Sequence, residues 1–156
     1  MPVMVVRHAH AVSRRDWEDD DRWRMLSPKG EKQARLLVDP LLARHPTRIL
    51  SSPYRRCIDT VSPLAQAAGL RVEEDDRLAE GAGRGAVELV RVLAAAGTDA
   101  ALCSHGDVIP DILATLAHED RVDLGPAPQV EKASVWVLHG DRGRIVSAEY
   151  WRPPKV

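Results

Sequence analysis

Short apolar runs alternate with longer amphipathic segments along the chain, and this alternation predicts an α/β domain. The apolar runs predict six strands. We place them at residues 1–6, 48–51, 71–74, 100–103, 133–138 and 144–150. Because no internal repeat or low-complexity linker interrupts the pattern, we expect a single domain over residues 1–156.

Four amphipathic segments between the strands predict helices. They cover residues 27–45, 52–68, 86–96 and about 107–117. In the first, Ser27 is placed as the N-cap and Pro28 at the first helical position, where the missing N–H costs nothing. In the second, Pro63 is expected to kink the helix or divide it in two. The stretch from about residue 9 to 25 is polar, acidic and without period, which predicts a long loop.

The composition is that of a globular protein and excludes several classes of partner. The chain carries 22 basic and 23 acidic side chains. Its net charge is therefore too small to attract nucleic acid or an anionic membrane. Two cysteines in a chain of this size favour a reducing compartment over a disulfide scaffold. The apolar run at residues 3–6 is too short for a leader peptide or a membrane span, so we expect a cytoplasmic protein.

Histidine, arginine and serine residues follow three of the predicted strands. The first strand ends in Arg7-His8, the second is followed by Ser52, Arg55 and Arg56, and the fourth ends in Ser104-His105. In open α/β sheets ligands bind beyond the carboxyl ends of the strands, where helix N-termini also favour anions. Two imidazoles and at least two guanidinium groups converging there predict a site for a phosphoryl group.

Phosphoryl transfer needs an aligned nucleophile and positive charge around the oxygens of the transferred group. A neutral imidazole is a competent nucleophile near pH 7. Arg7, one of the two neighbouring arginines Arg55 and Arg56, and the second histidine would then hold the oxygens. Glu80, in the loop after the third strand, is the best candidate for a proton donor to the leaving group.

Four motifs, in this order, resemble the signature of the histidine phosphatase superfamily, also called phosphoglycerate-mutase-like. They are Arg7-His8-Ala9, Ser52-Pro53-x-x-Arg56-x-x-x-Thr60, Leu78-Ala79-Glu80 and Ser104-His105-Gly106. The short length and the stretch from residue 26 to 34 are similar to the branch of small bacterial phosphohistidine phosphatases. Residues 108–111 and 134–138 also resemble phosphatase-like domains that follow some Nudix-type nucleotide hydrolases.

The resemblance implies a fold, a reaction and a set of roles. The fold would be a three-layer sandwich with a mostly parallel sheet of about five or six strands, one antiparallel edge strand and helices on both faces. The reaction would be hydrolysis of a phosphomonoester or phosphoramidate without metal or cofactor, and the substrate a phosphorylated small molecule or a protein that bears phosphohistidine. His8 would be the nucleophile. The other site residues would be Glu80 as the acid, and Arg7, Arg56, His105 and Gly106 in the phosphate pocket.

Other functions stay open at the level of sequence. His8, His10, His105 and Asp107 form a plausible ligand set for a metal-dependent hydrolase. An arginine cluster can also recognise phosphorylated ligands without turnover, and a phosphohistidine can be passed to another hydroxyl, as in a mutase. The acidic run at residues 16–21 is interpreted as a solvated loop, with a lid as the alternative. Nothing in the pattern predicts an oligomeric state.

Overall fold

The computed structural model describes all 156 residues and contains six strands and five helices. The strands are β1 (Pro2–Arg7), β2 (Arg48–Ser51), β3 (Val72–Glu74), β4 (Ala100–Ser104), β5 (Val135–Asp141) and β6 (Arg144–Trp151). The helices are α1 (Pro28–Leu36), α2 (Val38–Leu42), α3 (Arg55–Ala68), α4 (Gly85–Ala95) and α5 (Val108–Glu119). All six predicted strands are present, with ends displaced by a few residues at most. No helix has both the length and the apolar character needed to cross a membrane.

The six strands form one sheet in the order β3-β2-β4-β1-β5-β6. The four strands β3, β2, β4 and β1 are parallel to one another, β5 runs antiparallel to β1, and the edge strand β6 pairs antiparallel with β5. The predicted fold class, a mostly parallel sheet with an antiparallel pairing at one edge and helices around it, is confirmed.

Helices cover both faces of the sheet, and each face has its own apolar core. Val3 and Val5 of β1 pack into the core under α4 and α5, whereas Met4 and Val6 pack into the core under α1, α2 and α3. All four side chains are fully buried. An uninterrupted apolar run is therefore the pattern that a central strand requires when water reaches neither face.

Two of the predicted helices differ from those observed. The segment after Ser27 forms α1 and α2 instead of one helix, because Pro40 has no N–H for the carbonyl of Leu36 and its ring clashes with that group. Helix α3 begins at Arg55 instead of Ser52 and continues through Pro63 without division. Buried residues on either side of Pro63 pack against the core and hold the two halves of α3 together.

The three strands that carry the candidate site end at the same level. Arg7 of β1 lies opposite Ser104 of β4 in the parallel register, and Ser51 of β2 lies opposite Cys103 of β4. The backbone N–H of His8 continues the ladder by donating to the carbonyl of Ser104 at 3.1 Å. The segments that follow these strands therefore begin at one edge of the sheet.

Candidate active site

Two histidines lie next to each other where β1 and β4 end. The ring centroids of His8 and His105 are 5.5 Å apart, with an angle of 63° between the ring planes. Both side chains are almost fully buried, at 5% and 1% exposure. The convergence predicted from residues almost a hundred positions apart is thus present in the folded chain.

The imidazole of His8 is held in one tautomer and kept neutral. Its Nδ1 lies 2.9 Å from the carbonyl oxygen of Ala9, which can only accept, so Nδ1 carries the hydrogen and the lone pair is on Nε2. Burial lowers the pKa of His8 to about 3, and the nearby positive charges of Arg56 and Arg7, together with His105, act in the same direction. The hydrogen bond to Ala9 opposes this effect only in part. An unprotonated Nε2 is therefore available at any pH near neutrality.

The two neighbouring arginines at the start of α3 lie in different environments. Arg55 is exposed and its Nε donates to Asp59 at 3.2 Å, one helical turn further on. Arg56 is fully buried, and its guanidinium carbon lies 5.0 Å from the ring centroid of Tyr54. Of the two, Arg56 is thus the one placed beside the histidines, with Nη2 at 3.5 Å from Nδ1 of His105.

The buried charge of Arg56 is balanced by two carboxylates. Its guanidinium donates to the backbone carbonyl of Asp21 at 3.0 Å and to the Asp21 carboxylate at 3.2 Å, and Oε2 of Glu80 lies 3.5 Å away. Burial acts to raise the pKa of Asp21, but the hydrogen bond from Arg24 and the charges of Arg56, Arg24 and Arg14 lower it below its usual value. The interpretation of residues 16–21 as a wholly solvated loop is therefore wrong for Asp21.

Arg7 lies in the site without any carboxylate partner. Its Nη1 donates to the carbonyl of Val130 at 2.6 Å, whereas its Nε is buried and has no hydrogen-bond partner. Gly106 packs directly against this guanidinium, since a Cβ at that position would lie 2.8 Å from the Arg7 Cζ. The third residue of the Ser-His-Gly motif thus leaves the space that the arginine occupies.

Glu80 lies at the mouth of the site and is one-third exposed. Besides Arg56 it pairs with Arg14, whose Nη2 is 3.2 Å from Oε1. The next residue, Gly81, donates its backbone N–H to the Asp107 carboxylate at 2.8 Å, which ties this loop to the start of α5. The resulting catalytic cleft has a volume of about 630 Å³. It is lined by Arg7, His8, His10, Arg24, Glu80, Gly106 and Lys132, among others.

Hydroxyl groups of the second motif hold the other motifs in place. The Thr60 hydroxyl accepts the backbone N–H of Ala9 at 2.9 Å and donates to the carbonyl of Arg56 at 2.6 Å. The hydroxyl of Ser52 lies 2.8 Å from Nε2 of His105. The same hydroxyl accepts the backbone N–H of Tyr54 at 3.2 Å, and Tyr54, not Ser52, is the residue that directly precedes α3.

His10 holds the loop after β1 against the start of α1. Its Nδ1 lies 2.6 Å from the Ser27 hydroxyl, its backbone N–H donates to the Gln33 side chain at 2.9 Å, and a Cβ at Gly30 would overlap its carbonyl oxygen. No group of three or more His, Cys, Asp or Glu side chains is arranged to hold a metal ion. The ligand set of His8, His10, His105 and Asp107 is therefore not assembled by the fold.

Several charged residues around the site were not assigned to it from the sequence, where residues 16–21 entered only as a solvated loop or, alternatively, as a lid. Asp21, Arg14 and Arg24 come from the irregular segment after β1, and Lys132 comes from the segment before β5. Neither segment has a period or a motif, so only the three-dimensional path of the chain brings these charges to the cleft. The one available signal was an acidic run enclosed by arginines and tryptophans.

Comparisons with known proteins show which family and which relatives the chain resembles. A family model described as histidine phosphatase superfamily (branch 1) matches residues 3–89, more than half of the chain. The 8-oxo-(d)GTP phosphatase of Mycolicibacterium smegmatis is 31% identical over 97% of this chain. The chain spans 48% of the length of that relative and 37% of a second curated relative.

Solved structures show the same fold over nearly the whole chain. The protein histidine phosphatase SixA, in complex with tungstate, superposes with a TM-score of 0.76 at 20% identity, covering 97% of this chain and 95% of the other. A SixA protein from Agrobacterium tumefaciens superposes with a TM-score of 0.72 at 25% identity, covering 98% of both chains. These likenesses confirm the predicted fold class.

Proposed function

The chain belongs to the histidine phosphatase superfamily, and on that basis we propose that it is a metal-independent phosphatase in which His8 carries the phosphoryl group as a covalent intermediate. The observation that supports this most directly is the buried, neutral imidazole of His8, which lies beside His105 and two arginines. A binding module would have no need of an unprotonated Nε2 in such a place. The mechanism has two steps.

In the first step, the lone pair on Nε2 of His8 attacks phosphorus while the bond to the leaving group breaks. The leaving atom takes both electrons of that bond and a proton from the Glu80 carboxyl. Arg7, Arg56 and His105 stabilise the negative charge on the three equatorial oxygens, which is the main contribution that a protein makes to this reaction. The carbonyl of Ala9 stabilises the imidazolium that forms, because it already accepts the hydrogen of Nδ1.

In the second step, water attacks the phosphohistidine and the Glu80 carboxylate takes its proton. The nitrogen–phosphorus bond breaks, its electrons return to Nε2 of His8, and inorganic phosphate leaves. Glu80 thus regains the proton it gave away, and His8 returns to its neutral form. The partly exposed position of Glu80 suits both tasks, since leaving group and water enter through the mouth of the cleft.

The ion pairs of Arg56 suggest how Glu80 becomes available. A bound phosphoryl dianion would compete with Asp21 and Glu80 for the same guanidinium, because charge-assisted hydrogen bonds to phosphate are as strong as those to carboxylates. Released from Arg56, the Glu80 carboxylate would take a proton from the solvent at the mouth of the cleft and pass it to the leaving atom.

The substrate we propose is a phosphorylated small molecule or a protein that bears phosphohistidine. Both classes are named among the relatives, one an 8-oxo-(d)GTP phosphatase and others protein histidine phosphatases. The open cleft admits either kind of substrate. We also propose the cytoplasm as the location, since Cys57 and Cys103 are both buried, free thiols.

The test is to measure phosphate release from phosphoramidate and para-nitrophenyl phosphate in the presence of a chelator. The wild-type protein should turn over, and a His8→Asn variant should not, because the asparagine amide can still donate to Ala9 but offers no nucleophile. An alkaline quench should show phosphate on His8 by mass spectrometry. Vanadate, which mimics five-coordinate phosphorus, should inhibit.

A matched control separates this mechanism from its rivals. His118→Asn replaces an exposed histidine on α5 and should leave turnover unchanged. Normal turnover in the His8→Asn variant would refute the covalent mechanism. Loss of activity with chelator, restored by added zinc, would instead favour the metal-dependent hydrolase.

A further inference from the structure

A second cleft, rich in positive charge, opens directly beside the catalytic one. It has a volume of about 700 Å³ and shares Arg7, His10 and Lys132 with the catalytic cleft. Lys29 of α1 and Lys155 of the C-terminal segment also line it. The clefts therefore adjoin, and a group held at Arg7 borders both of them.

The cations that line this second cleft form no ion pairs with carboxylates. None of Arg7, Lys29, Lys132 and Lys155 forms an ion pair with a carboxylate. The chain has 23 acidic side chains for its 22 basic ones, so partners are not scarce. Glu131 is the one acidic side chain that lines the cleft. Four like charges around one cavity repel one another unless an anion enters.

The positive charge around the cleft lowers the pKa of two of its lining groups, Lys132 and His10. Burial lowers the pKa of Lys132, and the charges of Arg7, Arg24, Arg14 and Arg56 lower it further. Burial likewise lowers the pKa of His10, followed by the charges of Lys132 and Lys29. On the other side of the catalytic cleft the arginines are paired, with Arg24 on Asp21 and Arg14 on Glu80 and Asp21. The unpaired positive charge therefore lies in the second cleft and at its border with the catalytic one, where Arg7 and Lys132 line both.

We propose that Lys29, Lys132 and Lys155 form a specificity subsite for a second phosphate of the substrate. This inference rests on the proposed phosphatase function: one phosphate is transferred to His8 while the other, on the leaving group, is held in the second cleft. The lysine ammonium groups provide mobile point charges that suit a terminal phosphate in several orientations. The substrate class is accordingly a small molecule that bears two phosphates a few bonds apart.

The shape of the cleft favours a compact ligand. Pro153 and Pro154 form part of its lining, and proline restricts the backbone of that segment to extended conformations. A volume of about 700 Å³ accommodates a phosphate with a short linker. An acidic protein segment would need a longer positive surface than these residues offer.

The test compares 1,4-butanediol bisphosphate with butyl phosphate, which differ only in the second phosphate. The wild-type protein should show a kcat/KM at least severalfold higher for the bisphosphate, and added salt should reduce that preference by screening it. A double variant Lys29→Met, Lys155→Met should remove most of that preference, since the loss of two exposed charge pairs can lower kcat/KM for the bisphosphate by up to roughly tenfold. Methionine keeps an unbranched, flexible side chain and removes the terminal ammonium group.

The control is Lys32→Met, which replaces another exposed lysine of α1 that lines neither cleft. It should keep the wild-type preference. Equal kcat/KM for the two compounds in the wild-type protein, or an unchanged preference in the double variant, would overturn the subsite. If neither compound is hydrolysed while phosphoramidate still phosphorylates His8, the subsite is overturned and the proposed function stands.

Discussion

Replacing His8 by asparagine should make the free energy of unfolding less sensitive to acid. The imidazole of His8 has a folded-state pKa of about 3, against an ordinary value of 6.5. As the pH falls below 6.5 the unfolded chain binds a proton at His8 that the folded protein does not bind, so unfolding becomes more favourable. Between about pH 6.5 and pH 5 this one group costs the wild-type protein about 2 kcal/mol of stability.

The measurement is urea unfolding at about pH 7.5 and about pH 5 for the wild-type protein and the His8→Asn variant. Phosphate and sulfate must be left out, because an anion bound to the folded site adds stability of its own. We expect the acid-induced loss to be smaller in the variant by about 2 kcal/mol, while His118→Asn, on the exposed surface of α5, behaves as the wild type. Equal losses in the wild type and His8→Asn would refute the conclusion that the fold keeps His8 neutral.

Three further substitutions test other parts of the site. Arg56→Lys should lower kcat/KM for para-nitrophenyl phosphate by about 10²–10³, whereas Arg55→Lys, on the exposed face of α3, should change it little. Asp21→Asn should lower the inhibition constant of phosphate severalfold in the same assay, because one of the competitors for Arg56 is removed; an unchanged constant would show that the two do not compete. Gly30→Ala should lower the free energy of unfolding by about 1–3 kcal/mol, measured in urea, because its Cβ would overlap the His10 carbonyl.

The fold and the centre of the site could be predicted because each followed from local sequence. An uninterrupted apolar run such as residues 3–6 predicts a strand covered on both faces, and parallel strands align their carboxyl ends. His8 and His105 each stand directly after such a run. Their approach to 5.5 Å was therefore implied by topology before any side chain was placed. The division between α1 and α2 was not predicted, because a proline alone does not decide whether a helix ends: Pro40 lies at such a division, whereas α3 continues through Pro63.

The charges around that centre could not be predicted, because they depend on how irregular segments pack. Asp21 reaches Arg56 across 35 positions of sequence through a loop that has no period. The sequence of an acidic run does not show which of its carboxylates accepts a hydrogen bond from a buried guanidinium. The same holds for the pKa of His8, since desolvation is a property of the completed core and not of the residue.

Arg7 and Arg56 differ in their counterions, and this difference suggests different roles in binding and in phosphoryl transfer. An anion that binds to Arg56 must displace the carboxylates of Asp21 and Glu80, so it exchanges one set of charge-assisted contacts for another and gains little affinity. An anion at Arg7 meets a guanidinium with no carboxylate partner, whereas the buried Nε without an acceptor is common to both arginines. Affinity in the ground state therefore comes mainly from the side of Arg7 and Lys132. We propose that Arg56, already held in place by its carboxylates, acts mainly on the charge that develops during phosphoryl transfer.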